Sequence, residues 1–566
     1  MASLQRFSVR GRTYWRIVES KRINGKPRPV PILYIGPTEK LIEMLLSAGS
    51  FPSLRVQTFQ HGDVAALKAA ADSLGVVELI DQVVPSSARS VSVGTCLLLA
   101  AIGRVVRPSS KRAWASWART TSLGQLFADV DIDKMTSQVF WDQMDQVGLE
   151  HLEAIEAELT RRVVDRLGVD VDLLLYDTTN FFTYVDTTNE RSRLTRRGHS
   201  KQKRHDLRLY GLAMAVSRRG RLPLFHQVYE GNKADCRQFA ESLSQVRHRL
   251  SHLPLRADAI TLVYDRGNMS RANQQAVDAM DIGYVASLTP SHHPDLAAVP
   301  TASFKPIAWH DDSELFVYRT KAEIWGSLRT VVIYISQKLR EGQIRGLTTN
   351  LHKALAELAE WKRQLANSRR GPRSQDGAQK KIDQILARQH LKQVVFASYD
   401  PSRHGADRLD FWVDADRLQH LVHEVYGRRI LITDRHHWST EDIISAYHHQ
   451  SDVERVFRQL KDDLHLAVRP QFHWTDHKIH VHVFTCILGL LLARLVQFQA
   501  ARAGWTGSLN ALFDHLARIR LALLLEKPGP KGGRPRVHWQ LEETDPQLIK
   551  LFRHLVPNSP PFVYTS

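Results

Sequence analysis

The sequence contains little cysteine and no long uninterrupted apolar run. Its 566 residues include three cysteines, Cys96, Cys236 and Cys486, which are too far apart for a zinc motif and too few for a disulfide framework. This scarcity fits a reducing cytoplasm. The two longest apolar stretches, residues 93–103 and 483–493, are far shorter than the ~20 residues of a membrane span. We therefore expect them to be buried core helices, with no membrane partner.

Acidic residues are also in deficit. The chain has 77 Lys and Arg against 59 Asp and Glu, a formal net charge of +18 and a pI near 9.8. Such a balance favours a polyanionic partner, of which nucleic acid is the commonest, although a solvated basic surface would give the same count. The first residues lack the apolar segment of a secretory signal. We expect the protein to meet nucleic acid inside the cell.

The length exceeds the ~250–300 residues at which one hydrophobic core stops growing, so several domains are expected. Hydrophobic periodicity and turn residues predict their kind and order. The predicted segments are a basic β-ribbon at 1–60, a helical domain at 61–165, the first part of an α/β core at 166–290, an α+β insertion at 291–435, the second part of the core at 436–500, and a helical tail at 501–566. From their charge, we expect the helical domain to bind DNA and the tail to contact DNA or a second subunit.

Basic residues concentrate in several of these segments. The ribbon is predicted from strand-like runs at 13–18 and 30–35, joined through Asn24-Gly25. Residues 104–119 combine lysine and arginine with Trp114 and Trp117. This piece either lies on DNA or is a helix whose tryptophans are buried. The Gly- and Pro-rich stretch at 527–536 either contacts phosphates or is a solvated linker.

Two segments of similar pattern run an apolar strand into an aspartate. Leu173-Leu-Leu-Tyr precedes Asp177, and Thr261-Leu-Val-Tyr precedes Asp265. Burial of an unpaired carboxylate is costly, so an aspartate that closes such a strand is a cap, an ion-pair partner or a metal ligand. Two of them at neighbouring strand ends would repel each other unless a cation lay between them. The pattern therefore favours a metal site.

A helix predicted from about residue 440 to 465 carries a third group of polar residues. Tyr447, Gln450, Glu454 and Lys461 fall within an arc of about 60°, and Arg458 lies about 20° beyond it. Apolar residues lie beside this face, so the helix can pack on a sheet and present its polar face at the edge. Periodicity alone does not distinguish this arrangement from a surface helix in which Glu454 pairs with Arg458.

The spacing Tyr447-x2-Gln450-x3-Glu454-x6-Lys461 resembles the Y-x2-R-x3-E-x6-K signature of the IS-four-type DDE transposases of bacterial insertion sequences, with glutamine where that family usually has arginine. The resemblance extends over about residues 170–500. Further motifs similar to that family occur in order around the helix: Asp177-Thr-Thr, Ser200-Lys201, Gly231-Asn232 with Asp235, Asp265-Arg-Gly, and Arg469-Pro before Trp474.

The resemblance implies an α/β fold with an RNase H-like core, a mixed sheet flanked by helices, in which two aspartates end adjacent strands and a helix brings in the glutamate. It implies a transposase that binds terminal inverted repeats, cleaves the element ends and transfers the 3′-hydroxyl ends to target DNA. Asp177, Asp265 and Glu454 would be the catalytic residues and the ligands of two Mg²⁺ ions, for which Mn²⁺ could substitute. Double-stranded DNA and a second copy of the chain at synapsis are the expected partners.

The resemblance and the charge pattern together imply a set of DNA contacts, all made by polar or cationic side chains. They are Tyr447, Gln450, Arg458, Lys461, Lys201, Arg204 and Arg266. Because Gln450 cannot neutralise a phosphate, we expect Arg458 to supply the missing guanidinium. The basic segment 191–208, which follows the first strand of the core, is expected to bind DNA in a salt-dependent way.

Other functions stay open at this point. Histidines near the signature suggest zinc, but the adjacent His448 and His449 face different sides of a helix, so surface or capping roles are expected for them. A nuclease that cuts without joining and a domesticated or inactive DNA-binding repressor are the alternatives. The complete set of two aspartates and a glutamate argues against the repressor.

Overall fold

The structure is a computed structural model that describes residues 2–23, 26–48, 55–85, 91–169, 171–199, 203–253, 256–309, 314–367, 375–469, 471–526 and 536–557. Its strands are β1 (Ala2–Val9), β2 (Arg12–Ile23), β3 (Lys26–Pro37), β4 (Arg55–Gln60), β5 (Leu173–Thr183), β6 (Arg208–Ser217), β7 (Pro223–Glu230), β8 (Thr261–Tyr264), β9 (Gly283–Leu288), β10 (Lys305–Ala308), β11 (Glu314–Ile324), β12 (Ser327–Ile335), β13 (Val395–Tyr399), β14 (Leu409–Val413), β15 (Arg428–Thr433), β16 (Arg520–Glu526) and β17 (Arg536–Leu541). Its α-helices are α1 (Thr38–Ala48), α2 (Gly62–Leu74), α3 (Val76–Val83), α4 (Val93–Val106), α5 (Lys111–Ala118), α6 (Leu123–Leu126), α7 (Ser137–Asp145), α8 (Leu149–Leu167), α9 (Asp235–Ser251), α10 (Arg271–Asp278), α11 (Pro294–Ala297), α12 (Gln337–Asn367), α13 (Gln375–Ile385), α14 (Leu391–Val394), α15 (Ala415–His420), α16 (Thr440–His448), α17 (Gln450–Leu460), α18 (Asp476–Arg502), α19 (Leu509–Leu516) and α20 (Pro546–Leu555).

The described part of the chain divides into two compact units. The terminal unit comprises Met1–Ala69, Ala115–Lys134 and Ala503–Ser566, and the sheet unit comprises Ala70–Trp114 and Met135–Arg502. The division cuts across the predicted helical domain at 61–165, whose periodicity corresponds to helices α2 to α8. It also joins the predicted first and second parts of the α/β core with the segment between them.

In the terminal unit, β1, β2 and β3 form an antiparallel sheet. The strand-like runs predicted at 13–18 and 30–35 lie in β2 and β3, and the predicted Asn24-Gly25 turn lies outside the described residues. β4 pairs with β16, which also pairs with β17. The tail predicted to be helical therefore contains strands as well as helices. Pairing on both sides outweighs the helical propensity of the leucine-rich β16, because strand formation depends strongly on context.

The sheet unit is built around a large mixed sheet with the strand order β10-β11-β12-β15-β9-β8-β5-β6-β7. β5, β6 and β7 follow one another in antiparallel pairs, and a turn at 218–222 joins β6 to β7. β5 also pairs in parallel with β8, and β8 pairs in parallel with β9. Parallel pairing requires a crossover, and α9 lies in the connection from β7 to β8. This is a mixed sheet with flanking helices, as the resemblance implied.

The segment predicted as a separate insertion at 291–435 only partly stands apart. β15 pairs with β9, and β12 pairs with β15, so β10, β11, β12 and β15 extend the same sheet. The interpretation of the whole segment as a separate block was wrong, because short apolar strands give no indication of which sheet they join. Its helical part, α12 to α15 with the β13–β14 hairpin, has a core of its own around Leu358, Trp361 and Leu391.

The two long apolar runs belong to buried helices, as predicted. They lie in α4 and α18, and a Cβ on Gly489 of α18 would come within 3.0 Å of the carbonyl oxygen of Ala101 in α4. By length and composition α18 could span a membrane, yet 94% of its most apolar window is buried inside the protein. This burial is typical of a core helix.

Candidate active site

β5 and β8 place the two predicted aspartates side by side. The strands pair in parallel up to Tyr176, which lies opposite Tyr264. Asp177 and Asp265 each follow this last pair, so they occupy equivalent positions on neighbouring strands, which lie ~4.8 Å apart in a sheet. Both aspartates are partly buried. The repeated Leu-x-Tyr-Asp pattern of the sequence is thus a repeated position in the sheet.

Asp265 follows the end of its strand as predicted, whereas Asp177 lies inside β5. A turn of 3-10 helix, Arg266–Asn268, comes directly after Asp265. β5 continues to Thr183 because its other neighbour, β6, keeps pairing as far as Arg208. The prediction that Asp177 closes its strand was therefore wrong. Asp177 directly follows the part of β5 that pairs with β8.

The tyrosines that precede the aspartates fix which face of the sheet the aspartates occupy. Tyr176 and Tyr264 both pack on Phe239 of α9, with ring centroids 4.9 and 4.7 Å apart. Successive side chains on a strand point to opposite faces. Asp177 and Asp265 therefore point away from α9, towards the face on which α16 and α17 lie.

The helix predicted from about 440 to 465 consists of two helices, α16 and α17. Ser439 caps the first, because its hydroxyl accepts from the backbone N–H of Asp442 at 3.0 Å. The second ends at Leu460, earlier than predicted. Leu466 adopts a left-handed backbone with φ of +63°, and the chain turns back so that the N–H of Val468 donates to the carbonyl of Leu460 at 3.0 Å.

Polar side chains of these helices join them to β5 and to Asp265. The Tyr447 hydroxyl donates to Asp265 Oδ1 at 2.6 Å. Gln450 Nε2 donates to the carbonyl oxygen of Tyr176 at 2.7 Å, directly before Asp177. Lys461 Nζ donates to Thr179 Oγ1 at 2.7 Å. Tyr447, Gln450 and Lys461 therefore lie beside Asp265 and the part of β5 that carries Asp177.

Burial changes the role of two signature residues. Tyr447 and Gln450 are 5% and 7% exposed, so in this conformation they are below the surface that DNA would contact. The pKa of Tyr447 is raised well above its usual value by burial and by the charge of Asp265, which keeps the hydroxyl protonated as a donor. The expected phosphate contacts of these two side chains stay a prediction, and the geometry assigns both to holding the carboxylate strands in place.

Glu454 is the third predicted carboxylate, and it is exposed. It lies on α17 four residues after Gln450 and seven before Lys461, about 40° and 20° from them around the helix axis. In the described residues no group of three or more His, Cys, Asp or Glu side chains is placed to hold a metal ion. The structure thus brings Asp177 and Asp265 together and does not gather Glu454 with them into one cluster.

Arg458 is likewise exposed. Among the described residues it forms no ion pair with Glu454, so the alternative of a simple paired surface helix does not hold for these two side chains. In the described part of the chain no hydrogen bond joins Arg458 to Gln450, the position at which Arg458 was expected to supply the missing positive charge. That expectation stays a prediction.

A guanidinium that the sequence analysis missed lies closer to the aspartates. Arg429 of β15 donates through Nη1 to the Tyr447 hydroxyl at 3.1 Å, and its guanidinium carbon is 5.6 Å from the centre of the tyrosine ring. The hydrogen bonds therefore run from Arg429 through Tyr447 to Asp265. A possible signal was present in the sequence, since two arginines open the apolar strand Arg428–Thr433.

Asp452 is a second residue that the sequence analysis missed. It is 5% exposed and accepts from Arg221 Nε at 2.8 Å and Arg455 Nη1 at 3.0 Å. Arg221 belongs to the turn between β6 and β7, so this ion pair attaches α17 to the sheet. Its surroundings are closed, which assigns it a structural role.

The remaining DNA-contact candidates differ in how open they are. Arg266 is exposed directly after Asp265. Arg204 is half-buried, and its guanidinium binds Asp206 through two hydrogen bonds of 2.9 and 2.7 Å, so part of its charge is already neutralised. Lys201 lies outside the described residues.

The basic segment 191–208 is attached to the sheet unit by one acidic residue. Asp476, at the start of α18, accepts from the Ser192 hydroxyl at 2.7 Å and from the N–H groups of Arg193 and Leu194 at 3.0 Å each. Farther along, Asn180 of β5 donates to a backbone carbonyl of the segment at 2.9 Å. The described part of this segment is thus held beside the strand that carries Asp177.

The histidines near the signature have local partners. His448 Nε2 lies 3.3 Å from the Tyr334 hydroxyl, and His449 Nδ1 lies 3.0 Å from Asp452. His477 and His482 each bond a backbone carbonyl, at 2.7 and 2.8 Å. Burial holds the pKa of His482 well below its usual value, so this ring is neutral and part of the core.

Comparisons with known proteins give limited information. Comparison with protein-family models and with curated proteins found no match. Among solved structures the chain is similar to a cryo-EM structure of a piggyBac transposase synaptic complex with hairpin DNA, at 8% identity and a TM-score of 0.37, over 80% of this chain and 79% of that one.

Proposed function

We propose that this protein is a DDE-type DNA transposase with an RNase H-like core. In this proposal it binds the ends of an insertion sequence, cleaves DNA there and transfers the 3′-hydroxyl ends to target DNA. The observation that supports it most is the register of β5 and β8, which puts Asp177 beside Asp265 under α16 and α17, the two helices of the Tyr-Gln-Glu-Lys signature.

The chemistry of the aspartate pair fits divalent metal ions. Two carboxylates on neighbouring strands repel each other when both are ionised, and Mg²⁺ prefers carboxylate oxygens with water completing its shell. Asp177 and Asp265 would hold the ions, Mg²⁺ in the cell with Mn²⁺ as a substitute, and the exposed Glu454 would be the third ligand, supplied from α17 when DNA is bound.

The bound ions would supply activation of a water or 3′-hydroxyl and stabilisation of the leaving oxygen. The chain's own residues prepare for this. Tyr447 orients Asp265 by occupying Oδ1, and Arg429 in turn holds the tyrosine hydroxyl. Lys461 lies beside β5, where its ammonium group can neutralise a phosphate next to the aspartates. Arg429 adds positive charge near the signature position where Gln450 carries none.

Double-stranded DNA, a second copy of the chain at synapsis and a place in the bacterial cytoplasm belong to the same proposal. The net charge of +18 and the basic segment beside β5 support the DNA partner. A second candidate is a DNA-binding repressor without catalysis. The position of Glu454, outside any three-ligand group in the described residues, is the observation that favours it.

Cleavage of a labelled duplex that carries the DNA flanking this gene tests the proposal. Wild type, Asp177→Asn and the control Asp186→Asn, which changes an exposed aspartate of the turn after β5, are compared with Mg²⁺ and with EDTA. Metal-dependent release of a 3′-hydroxyl end that is lost only in Asp177→Asn is the expected result.

Two further outcomes separate the alternatives. Joining of the released end to a second duplex distinguishes a transposase from a nuclease that only cuts. Binding of the duplex by a folded wild-type protein, without cleavage in either metal, would replace the proposal with the repressor.

A further inference from the structure

A cavity of about 590 Å³ opens in the sheet unit, away from the aspartates. Its walls include Lys111 and Arg112 of α5, Trp141 of α7, and Phe472 and Trp474 of the segment that leads into α18. This volume lies within the ~300–1,000 Å³ of ordinary small-ligand sites. The residues that line it have no part in the proposed chemistry at Asp177 and Asp265.

Basic side chains predominate over acidic ones in this cavity. Arg104 is 7% exposed, and Lys111 Nζ lies 3.0 Å from His473 Nε2. Burial, and after it the charge of Arg104, lower the pKa of Lys111 to about 7. Lys478 is paired with Asp145 at 2.8 Å, but among the described residues Arg104 and Lys111 have no carboxylate partner. The cavity can therefore accept an anionic group.

Aromatic rings border the same cavity and are open to solvent. Phe472, Trp474 and Trp141 are 68%, 56% and 44% exposed, whereas the neighbouring Trp114 and Trp117 are buried in the helical packing at 4% each. Large exposed rings around one opening mark a binding surface rather than part of the core. Flat rings beside unpaired cations suit a ligand that has a planar group and a phosphate.

The cavity is continuous with the basic segment 191–208. The Arg191 guanidinium lies 5.3 Å above the Trp474 ring, and Asn189 donates to the Trp474 carbonyl at 2.9 Å. On the other side, Arg469 accepts from Arg104 through its carbonyl at 3.4 Å and donates to the carbonyl of Lys461 at 3.2 Å. A DNA strand that follows the basic segment 191–208 would reach the cavity close to the end of α17.

We propose that this cavity binds one unpaired nucleotide of DNA, with its base stacked on Trp474 and its neighbours and its phosphate on Lys111 and Arg112. The inference rests on the proposed function in taking DNA as the substrate, and adds a site that holds a base out of the duplex. Stacking on aromatic rings tolerates any base, because every base has a flat face.

Binding of a single-stranded oligothymidine of about 20 nucleotides, with one 2-aminopurine at its centre, tests the site. Stacking of the 2-aminopurine quenches its fluorescence, and anisotropy gives the affinity. Wild type is compared with Trp474→Ala, Trp474→Phe and Lys111→Met. The matched control is Trp412→Ala. Trp412 lies on β14 and is exposed to a similar degree, 52%, but it stacks on Phe396.

We expect Trp474→Ala to weaken binding about tenfold and to remove most of the quenching, whereas Trp474→Phe and the control stay near wild type. Lys111→Met should reduce the slope of log affinity against log salt by about 0.7, the value for one phosphate contact on a single strand. Wild-type affinity, quenching and salt slope in both Trp474→Ala and Lys111→Met would overturn the site.

The duplex cleavage assay on the same proteins separates this inference from the proposed function. If the wild type cleaves the duplex but the cavity variants bind oligothymidine as tightly as the wild type does, the nucleotide site alone is rejected. A wild type that quenches 2-aminopurine in a Trp474-dependent way but cleaves no DNA rejects the transposase and keeps the nucleotide site. A wild type that binds no DNA of either kind rejects both.

Discussion

Two groups of charged side chains lie against the large sheet, and they differ in whether the protein itself completes them. Glu156 of α8 pairs with His226 of β7 and with Arg249 of α9, and these side chains are at most 9% exposed. Asp265 accepts from Tyr447 through Oδ1, and among the described residues no donor reaches its Oδ2. We call the Glu156 group closed, because the protein supplies its donors, and the group with Asp177 and Asp265 open.

This difference teaches where stability and function are to be found. Each oxygen of Glu156 has its own donor, so nothing further is required for the carboxylate to remain charged in the interior. Asp177 and Asp265 are partly exposed and occupy adjacent positions, so an outside cation can approach this pair of carboxylates. The closed group should control folding, and the open group should control chemistry.

The largest effect should come from the open group. Asp265→Asn removes a carboxylate charge but keeps an oxygen for the Tyr447 hydroxyl, so single-turnover cleavage of the flanking duplex should fall about 1,000-fold, a change of ~4 kcal/mol in the barrier. The free energy of unfolding in urea should change by less than ~1 kcal/mol. A cleavage rate within tenfold of wild type would show that this aspartate is not part of the reaction.

The closed group should show the opposite behaviour. Glu156→Gln leaves Arg249 buried without a counter-charge, so the free energy of unfolding should fall by about 3 kcal/mol or more. Cleavage at low temperature, where the variant is still folded, should remain close to wild type. Loss of cleavage in a variant whose stability is unchanged would contradict the assignment of Glu156 to folding.

Acidic pH should reveal the contribution of Glu156 to stability. Burial alone would raise the pKa of Glu156, but the charges of Arg249 and His226 outweigh it and lower the pKa below the usual 4.5. A lowered pKa stabilises the folded state above the unfolded value, and this contribution disappears as the pH falls through the folded value. Urea titrations below pH 4.5 should therefore show a steeper loss of stability in wild type than in Glu156→Gln.

A smaller effect distinguishes two arginines. Arg429→Met breaks the hydrogen bond to Tyr447 and removes a charge near Asp265, so cleavage should slow about 20-fold, or ~2 kcal/mol. Arg458→Met changes an exposed side chain and should slow cleavage less than about threefold. The reverse order in single-turnover rates would restore Arg458 as the guanidinium that serves the signature.

A weaker effect than that of Arg429→Met should come from Tyr447→Phe. It removes one hydrogen bond to Asp265 and one acceptor for Arg429, so cleavage should slow about fivefold, or ~1 kcal/mol. In the double variant with Arg429→Met the two losses should not add, because they break one chain of hydrogen bonds. Additive losses would show that the two residues act separately.

The sequence predicted most of what positions the candidate site. Apolar runs that end in Tyr-Asp predicted the strands, and helical periodicity predicted the face with Tyr447 and Lys461. It could not predict that β5 continues beyond Asp177, because the length of a strand depends on which neighbour pairs with it. Arg429 was missed for a related reason, since only the sheet order places β15 under α16.

The pairing of β4 with β16 has a consequence for how the molecule is made. Gln60 lies opposite Arg520, so β4 is synthesised about 460 residues before its partner strand β16. At ~5–20 residues per second of synthesis, this wait lasts roughly half a minute to a minute and a half. During that time Asp177 and Asp265 have already been synthesised, but β4 still lacks its partner strand. A chaperone that covers this strand would matter most during this interval.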